Sequence, residues 1–286
     1  MHMLKSTYNS TPPRHRPATL THMPASPGFV RGEQAVDRVL RILSMFGERR
    51  TRLTATEVAA ELGVHRSTAS RLLQSLERHR LLERSPDGGG YILGLGLVSL
   101  AGHVLNRFPV RAAAGDLIRE LRDSTGESTW LGVLDGQQVI YIDQASSPHV
   151  RVNTDWVGRR QALTAGGTGE LLLAYQPPEV IAALLGAARE RGEPRALALD
   201  EGELERTRDR GYLARRPEPG TGGAVIVAPV RDHRREVVAA VTVAGPLERI
   251  DAQRFERELI PATRRVAQLI SERLGCPDAF SPTDPR

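Results

Sequence analysis

The sequence predicts an α+β protein in two parts. A three-helix bundle with a β-wing stands first, and a larger domain of antiparallel hairpins interleaved with helices follows it. Three observations lead there. Residues 54–79 read as two short helices meeting at a glycine, and residues 81–93 as a glycine-tipped hairpin. Residues 110–275 hold two more hairpin signals separated by helical segments. A chain of 286 residues has length enough for two domains with separate cores.

Residues 1–30 carry Lys5, Arg14 and Arg16 and no acid, among many Pro, Ser, Thr and His. Too little apolar surface is present to offset the entropy of ordering, so a disordered basic tail is expected. His2, His15 and His22 are scattered in it as solvated side chains rather than as a metal set. Val36, Val39, Leu40, Leu43 and Phe46 give the core face of a first helix. Thr54-Ala-Thr-Glu57 is a capping box, in which Thr54 caps the amide three residues on and Glu57 reaches back. Val58, Ala59 and Leu62 form one apolar stripe, and Gly63 breaks the helix.

The next helix runs from about residue 65 to 79 and buries Ala69, Leu72, Leu73 and Leu76 at helical spacing. Arg66, Ser67, Ser70, Arg71, Gln74 and Arg78 lie opposite. Residues 81–84 and 91–93 are strands around the turn Ser85-Pro-Asp-Gly-Gly-Gly90. Residues 31–95 thus read as a winged helix-turn-helix. Its polar second helix has what a major-groove reader needs: Arg66, Arg71 and Gln74 for bases or phosphates, and Ser67, Thr68 and Ser70 to hold the backbone. Arg84 at the wing base is placed to meet a phosphate. The rival reading is an ordinary helical hairpin with a solvated arginine face.

Leu97, Val98, Ala101, Val104 and Leu105 give residues 96–109 the stripe of a linker helix, expected to end at Pro109. That stripe needs a partner, either its own second domain or a second subunit. In residues 110–275 a helix over 112–122 stops before Gly126, and strands over 128–134 and 139–144 join through Asp135-Gly136. A third strand is expected over 150–153. The run Ala165-Gly-Gly-Thr-Gly169 leads into a helix, and helices follow over 178–185 and 201–209. Strands over 225–230 and 237–243 form a second hairpin, alternating poorly because one of them is expected to be central and covered. The last helix is expected to be kinked or split at Pro261. Residues 276–286 are expected to form a flexible tail.

Composition excludes several classes. One cysteine, Cys276, leaves no intrachain disulfide and no cysteine-based zinc site. No apolar run is long enough to span a membrane and no signal peptide is evident, so a cytoplasmic protein is expected. Residues 31–95 hold eleven Arg against eight acids, so positive charge gathers in the first third and the remainder is close to neutral. No His-Glu-x-x-His pair, Gly-x-Ser-x-Gly elbow or phosphate loop is found. The run Gly166–Glu170 resembles a phosphate cradle only until Glu170, where a lysine is needed. Neither a cofactor, a metal nor an enzymatic activity is expected; a catalytic second domain is the first rival, and control by a protein partner the second.

The order of segments resembles the IclR family of bacterial transcription regulators. The resemblance is carried by Gln34-Ala-Val-Asp-Arg-Val-Leu-Arg-Ile-Leu43, Arg66-Ser-Thr-Ala-Ser-Arg-Leu-Leu-Gln-Ser-Leu76 and Tyr91-Ile-Leu-Gly-Leu95. Val133-Leu-Asp-Gly136, Gly158-Arg-Arg160, Ala228-Pro-Val230 and Gly245-Pro246 extend it through the second domain. It implies a GAF-like effector domain, dimers that often pair into tetramers, and small-molecule control of a DNA operator. Repression is the more common mode in that family. The chain departs from the family's pattern at Glu170, where a lysine is usual, at Val225, where a cysteine is frequent, and near Arg215 or Arg216, where an acid is.

A DNA reader of this size should act as a homodimer on a near-palindromic operator, and the resemblance implies that such dimers can pair into a dimer of dimers. An effector carboxylate is expected on the amides of Gly167 and Thr168, at the positive end of a helix. The resemblance adds Val150, Asn153, Val225 and Thr242 as walls. Arg215 is expected to pair with a second negative charge or to face solvent, and Trp156 to close the mouth. The rival reading makes the glycines a tight strand-to-helix turn and nothing more.

Overall fold

The structure, a computed structural model, describes residues 31–47, 50–149, 155–218 and 222–276. The expected strand at 150–153, the basic tail over 1–30 and residues 277–286 lie outside these. The described chain divides between His103 and Val104 into two compact units.

In the first unit α1 (Arg31–Ser44), α2 (Ala55–Leu62) and α3 (Arg66–Arg78) precede the strands β1 (Leu82–Arg84) and β2 (Tyr91–Leu93). Both halves of the capping box form, and Gly63 takes φ 63°, a left-handed conformation that ends α2 without a Cβ clash. β1 and β2 are antiparallel with Glu83 opposite Ile92. Leu53 adds a third edge, exchanging backbone bonds of 2.9 and 2.8 Å with Tyr91. Ile42, Leu53, Val58, Ala69, Leu73, Leu76, Leu82 and Tyr91 form one buried core, so helices and wing are packed as a single body. α4 (Gly96–Leu105) follows and contains no buried residue.

Pro109 does not end that helix. It opens α5 (Pro109–Thr125), where a proline without an amide hydrogen costs nothing in the first turn. The second unit then adds β3 (Ser128–Asp135), β4 (Gln138–Ala145), β5 (Arg160–Ala162), α6 (Gly167–Ala174), α7 (Pro178–Glu190), α8 (Pro194–Ala198) and α9 (Glu201–Arg210). It closes with β6 (Leu213–Arg215), β7 (Ala224–Arg231), β8 (Val237–Gly245), α10 (Ala252–Arg254), a π-helical turn over Phe255–Leu259 and α11 (Ile260–Arg273).

The six strands form one antiparallel sheet in the order β5-β4-β3-β8-β7-β6. α5 and α11 cover one face, and α6 with α9 behind it covers the other. β7 and β8 are buried along most of their length because helices lie on both faces, which is why their sequences do not alternate. β5 and β6, three residues each, are too short to show a period. The wide turn over Phe255–Leu259 precedes Pro261 and relieves the carbonyl clash a proline makes with the preceding turn. Order continues into the start of the expected tail, since Cys276 is buried and its amide bonds the Ser271 carbonyl at 2.9 Å.

Candidate DNA interface and ligand site

α3 presents its polar face as a set of unoccupied donors. Arg66, Arg71, Gln74 and Arg78 are exposed. Their side chains make no hydrogen bond or ion pair among the described residues. Thr68 and Ser70 are half-buried at the flanks of this face. Ser67 is exposed but already engaged: His65 Nδ1 accepts from the Ser67 amide at 3.3 Å and lies 2.8 Å from its hydroxyl. His65 is thus the helix cap, a role the sequence reading did not give it.

Arg84 folds back on its own domain. Its Nε donates to Glu77 Oε1 at 3.3 Å, and its guanidinium lies 4.3 Å above the centre of the Tyr91 ring. At the tip of the wing Arg52 pairs with Asp87 at 2.7 Å. The Asp87 carboxyl is held below its ordinary pKa, first by the Ser85 hydroxyl, then by the Gly89 amide and by Arg52. Sequence reasoning missed Arg52; the three glycines that follow Asp87 were the available signal.

In the second unit, α6 starts at Gly167, and Gly166 supplies no side-chain cap. The amides of Gly167 and Thr168 make no hydrogen bond among the described residues. Beside them is a small hydroxyl cluster. Thr168 Oγ1 is 2.7 Å from Thr242 Oγ1 and 3.2 Å from the Tyr141 hydroxyl, which is also 2.9 Å from Gln161 Oε1. Burial pushes the Tyr141 hydroxyl above its usual pKa, so it stays a neutral donor. Trp156 meets Tyr141 edge-on at 5.2 Å and Trp130 at 6.4 Å, with its amide held by Gln144 Oε1 at 2.7 Å. The indole nitrogen of Trp130 is buried with no partner among the described residues. Val150 and Asn153 lie outside the described residues.

Two expectations are corrected. Arg215 neither faces solvent nor offers a free charge: its guanidinium bonds Glu170 and Glu203. Glu170 is fully buried and is also gripped by Arg195 at 2.6 and 3.1 Å. Glu170 thus anchors a salt-bridge cluster at the start of α6. Val225, expected as a pocket wall, packs instead on the back of the turn: a Cβ on Gly167 would meet Val225, Leu213 and Val227 side chains at 3.2–3.3 Å.

A winged helix whose reading face carries exposed cations, followed by a separate α+β sheet domain, is the architecture of a DNA-binding regulator. Residues 35–86 match the IclR helix-turn-helix domain, and residues 102–272 match the C-terminal domain of bacterial transcriptional regulators of the IclR type. The chain belongs to the IclR family. It is 32% identical over 222 residues to the transcriptional regulator XynR of Escherichia coli K12, spanning 76% of this chain and 88% of that one. It is also 32% identical over 251 residues to the glycerol operon regulatory protein of Streptomyces griseus, spanning 86% and 98%. An IclR homolog of Microbacterium hydrocarbonoxydans, solved with 4-hydroxybenzoate, superposes with a TM-score of 0.70 at 26% identity, covering 84% of this chain and 98% of that one. The protein is accordingly a transcription regulator with a DNA-binding helix-turn-helix and an effector-binding domain. No described helix is long and apolar enough to cross a membrane.

Proposed function

We propose that the chain is a cytoplasmic repressor that reads a near-palindromic operator as a homodimer and answers to a small carboxylate-bearing metabolite. Residues 31–95 read DNA, 96–109 link, and 110–275 bind the effector. The observation that carries this reading is the α3 face, where Arg66, Arg71 and Gln74 stand exposed and unpaired among the described residues. Donors with no internal partner at a helix start are free to meet phosphates and base edges, with Arg suited to guanine. Thr68 and Ser70 flank them to fix the helix on the backbone, joined by Ser67 if its cap loosens and by Arg84 if it leaves Glu77. Repression is supported by the transcriptional repressor IclR of Escherichia coli K12, 26% identical over 242 residues.

Dimer formation is supported by apolar surface that no other described residue covers. Val98, Ala101 and Val104 are exposed on α4, and Val36 and Leu40 on α1. For the effector, the open amides of Gly167 and Thr168 suit a carboxylate. Thr168, Thr242 and Tyr141 supply hydroxyls, and Trp156 an apolar wall. Arg215 and Val225 support the site from behind.

The test selects duplexes from a random library on the wild-type protein and measures their binding to Arg66→Ala and Arg71→Ala. Each substitution is expected to cost about 1–3 kcal/mol and, where a base is read, to relax preference at one position. Wild-type affinity in both would sink the reading of α3.

A further inference from the structure

Arg52 sits on the segment leading into α2, next to Leu53, which is bonded to β2. From there its side chain crosses the wing turn, and Nη1 donates to Asp87 Oδ2 at 2.7 Å. The turn is shaped around this arm. A Cβ on Gly89 would fall 2.5 Å from Arg52 Nη1, and one on Gly90 would fall 2.5 Å from the Leu53 carbonyl and 3.3 Å from Arg52 Cγ. Asp87 is itself fixed, since its Oδ1 accepts the Gly89 amide at 3.0 Å. The pair is nevertheless open to solvent, with 46% of the Arg52 side chain and 62% of the Asp87 side chain exposed. An exposed pair of this kind adds little to folding stability. A wing built from consecutive glycines to hold one arginine at its surface calls for another reason.

We propose that Arg52 is a DNA-contacting residue, held in readiness by Asp87, which gives way to a backbone phosphate of the operator. The proposal rests on the assignment of α3 as the DNA-reading helix. The wing is packed with that helix in a single core through Leu82 and Tyr91, so a duplex docked on α3 meets a wing held in fixed relation to it. A phosphate offers guanidinium the same anionic oxygens as a carboxylate, so the exchange needs only a small swing of the arginine. The wing backbone has already restricted the side chain, which lowers the entropy lost on binding. Asp87, by contrast, repels the duplex. Its carboxylate therefore opposes binding twice, by holding Arg52 and by its own charge.

The test uses the full-length protein and duplexes selected on wild type, with binding measured across a series of salt concentrations. Arg52→Ala is expected to weaken binding roughly tenfold on every selected duplex and to reduce the salt slope by about one. Arg52→Lys is expected to restore much of that slope, because the charge returns. Asp87→Asn keeps an acceptor for the Gly89 amide and removes the charge, so it is expected to bind more tightly than wild type. Equal weakening by Asp87→Asn and Arg52→Ala would make the pair a brace of the wing and overturn the proposal. So would an Arg52→Ala protein with wild-type affinity and slope, or one that loses preference at a single base position only. Thermal melting of each variant separates loss of contact from loss of fold. If Arg71→Ala weakens binding while Arg52→Ala does not, this inference alone falls. If neither Arg66→Ala nor Arg71→Ala weakens binding, the assignment of α3 falls with it.

Discussion

Glu57 Oε2 accepts both the amide and the hydroxyl of Thr54 at 2.7 Å, while the Glu57 amide donates to Thr54 Oγ1 at 3.3 Å. The hydrogen bonds from Thr54, side chain first and then backbone, hold the Glu57 carboxyl below the 4.5 of a free glutamate. A folded-state pKa that is depressed makes a contribution present in full above the unfolded value and lost as pH falls through the folded one. Glu57→Gln keeps an acceptor but cannot titrate. Its melting temperature is expected to lie below wild type at neutral pH and to converge with it in acid below 4.5. Parallel melting curves at all pH values would contradict this. The capping box was legible in the sequence because its partners are three residues apart. The folded-back posture of Arg84 was not, because Glu77 and Tyr91 reach it only through the packing of α3 and the wing.

α6 was legible as an element, while its burial was not. The glycine run announced a turn into a helix, and every residue from Thr168 to Ala174 is buried, so the helix is a central pillar of the second unit. Its N-terminal amides remain the proposed carboxylate site, and Trp156, paired with Trp130, is edge-on to Tyr141, whose hydroxyl bonds Thr168 Oγ1. Binding of 4-hydroxybenzoate, a reasonable first probe given the related complex, is expected to change the intrinsic fluorescence of Trp130 and Trp156. Thr242→Val removes a hydroxyl from the cluster with little change in volume. It is expected to weaken the response about tenfold, one lost hydrogen bond being worth roughly 0.5–1.5 kcal/mol and more where a charged group is involved. A carboxylate panel that leaves the fluorescence of wild type unaltered would place the effector site elsewhere. On the opposite face of the sheet, Arg273 draws the Asp116 carboxyl down to about 2, so the clasp between α11 and α5 persists through mildly acid conditions.

For the whole molecule the open question is assembly. α4 buries none of its ten residues, and Val98 is 65% exposed. Within the first unit, Val36 and Leu40 on α1 add a second apolar strip, at 61% and 58% exposure. Apolar strips of this kind mark association surfaces. A second copy meeting them about a two-fold axis would place two reading helices on two half-sites. Val98→Glu puts a charge into that seam, so light scattering is expected to show loss of the dimer at micromolar concentration, together with weakened operator binding. A wild-type protein that is monomeric while binding one operator tightly would refute the seam. Charge is distributed in keeping with this arrangement, with its positive excess in the first third of the chain, where DNA attraction is needed.

By itself the sequence determined what short-range chemistry controls: the cap at Thr54, the break at Gly63, the two faces of α3, the wing, the hairpin turn at Gly136 and the helix stop at Gly126. Each depends on residues a few positions apart, and their order was enough to reach the family. The tertiary structure alone decided the rest. It set the strand order, with β3 beside β8, and made strands of the three-residue segments β5 and β6. It brought Arg215 to Glu170 across 45 positions and Arg52 to Asp87 across 35. Such contacts leave no period and no spacing rule, because a charge finds its partner by where the backbone has already been packed.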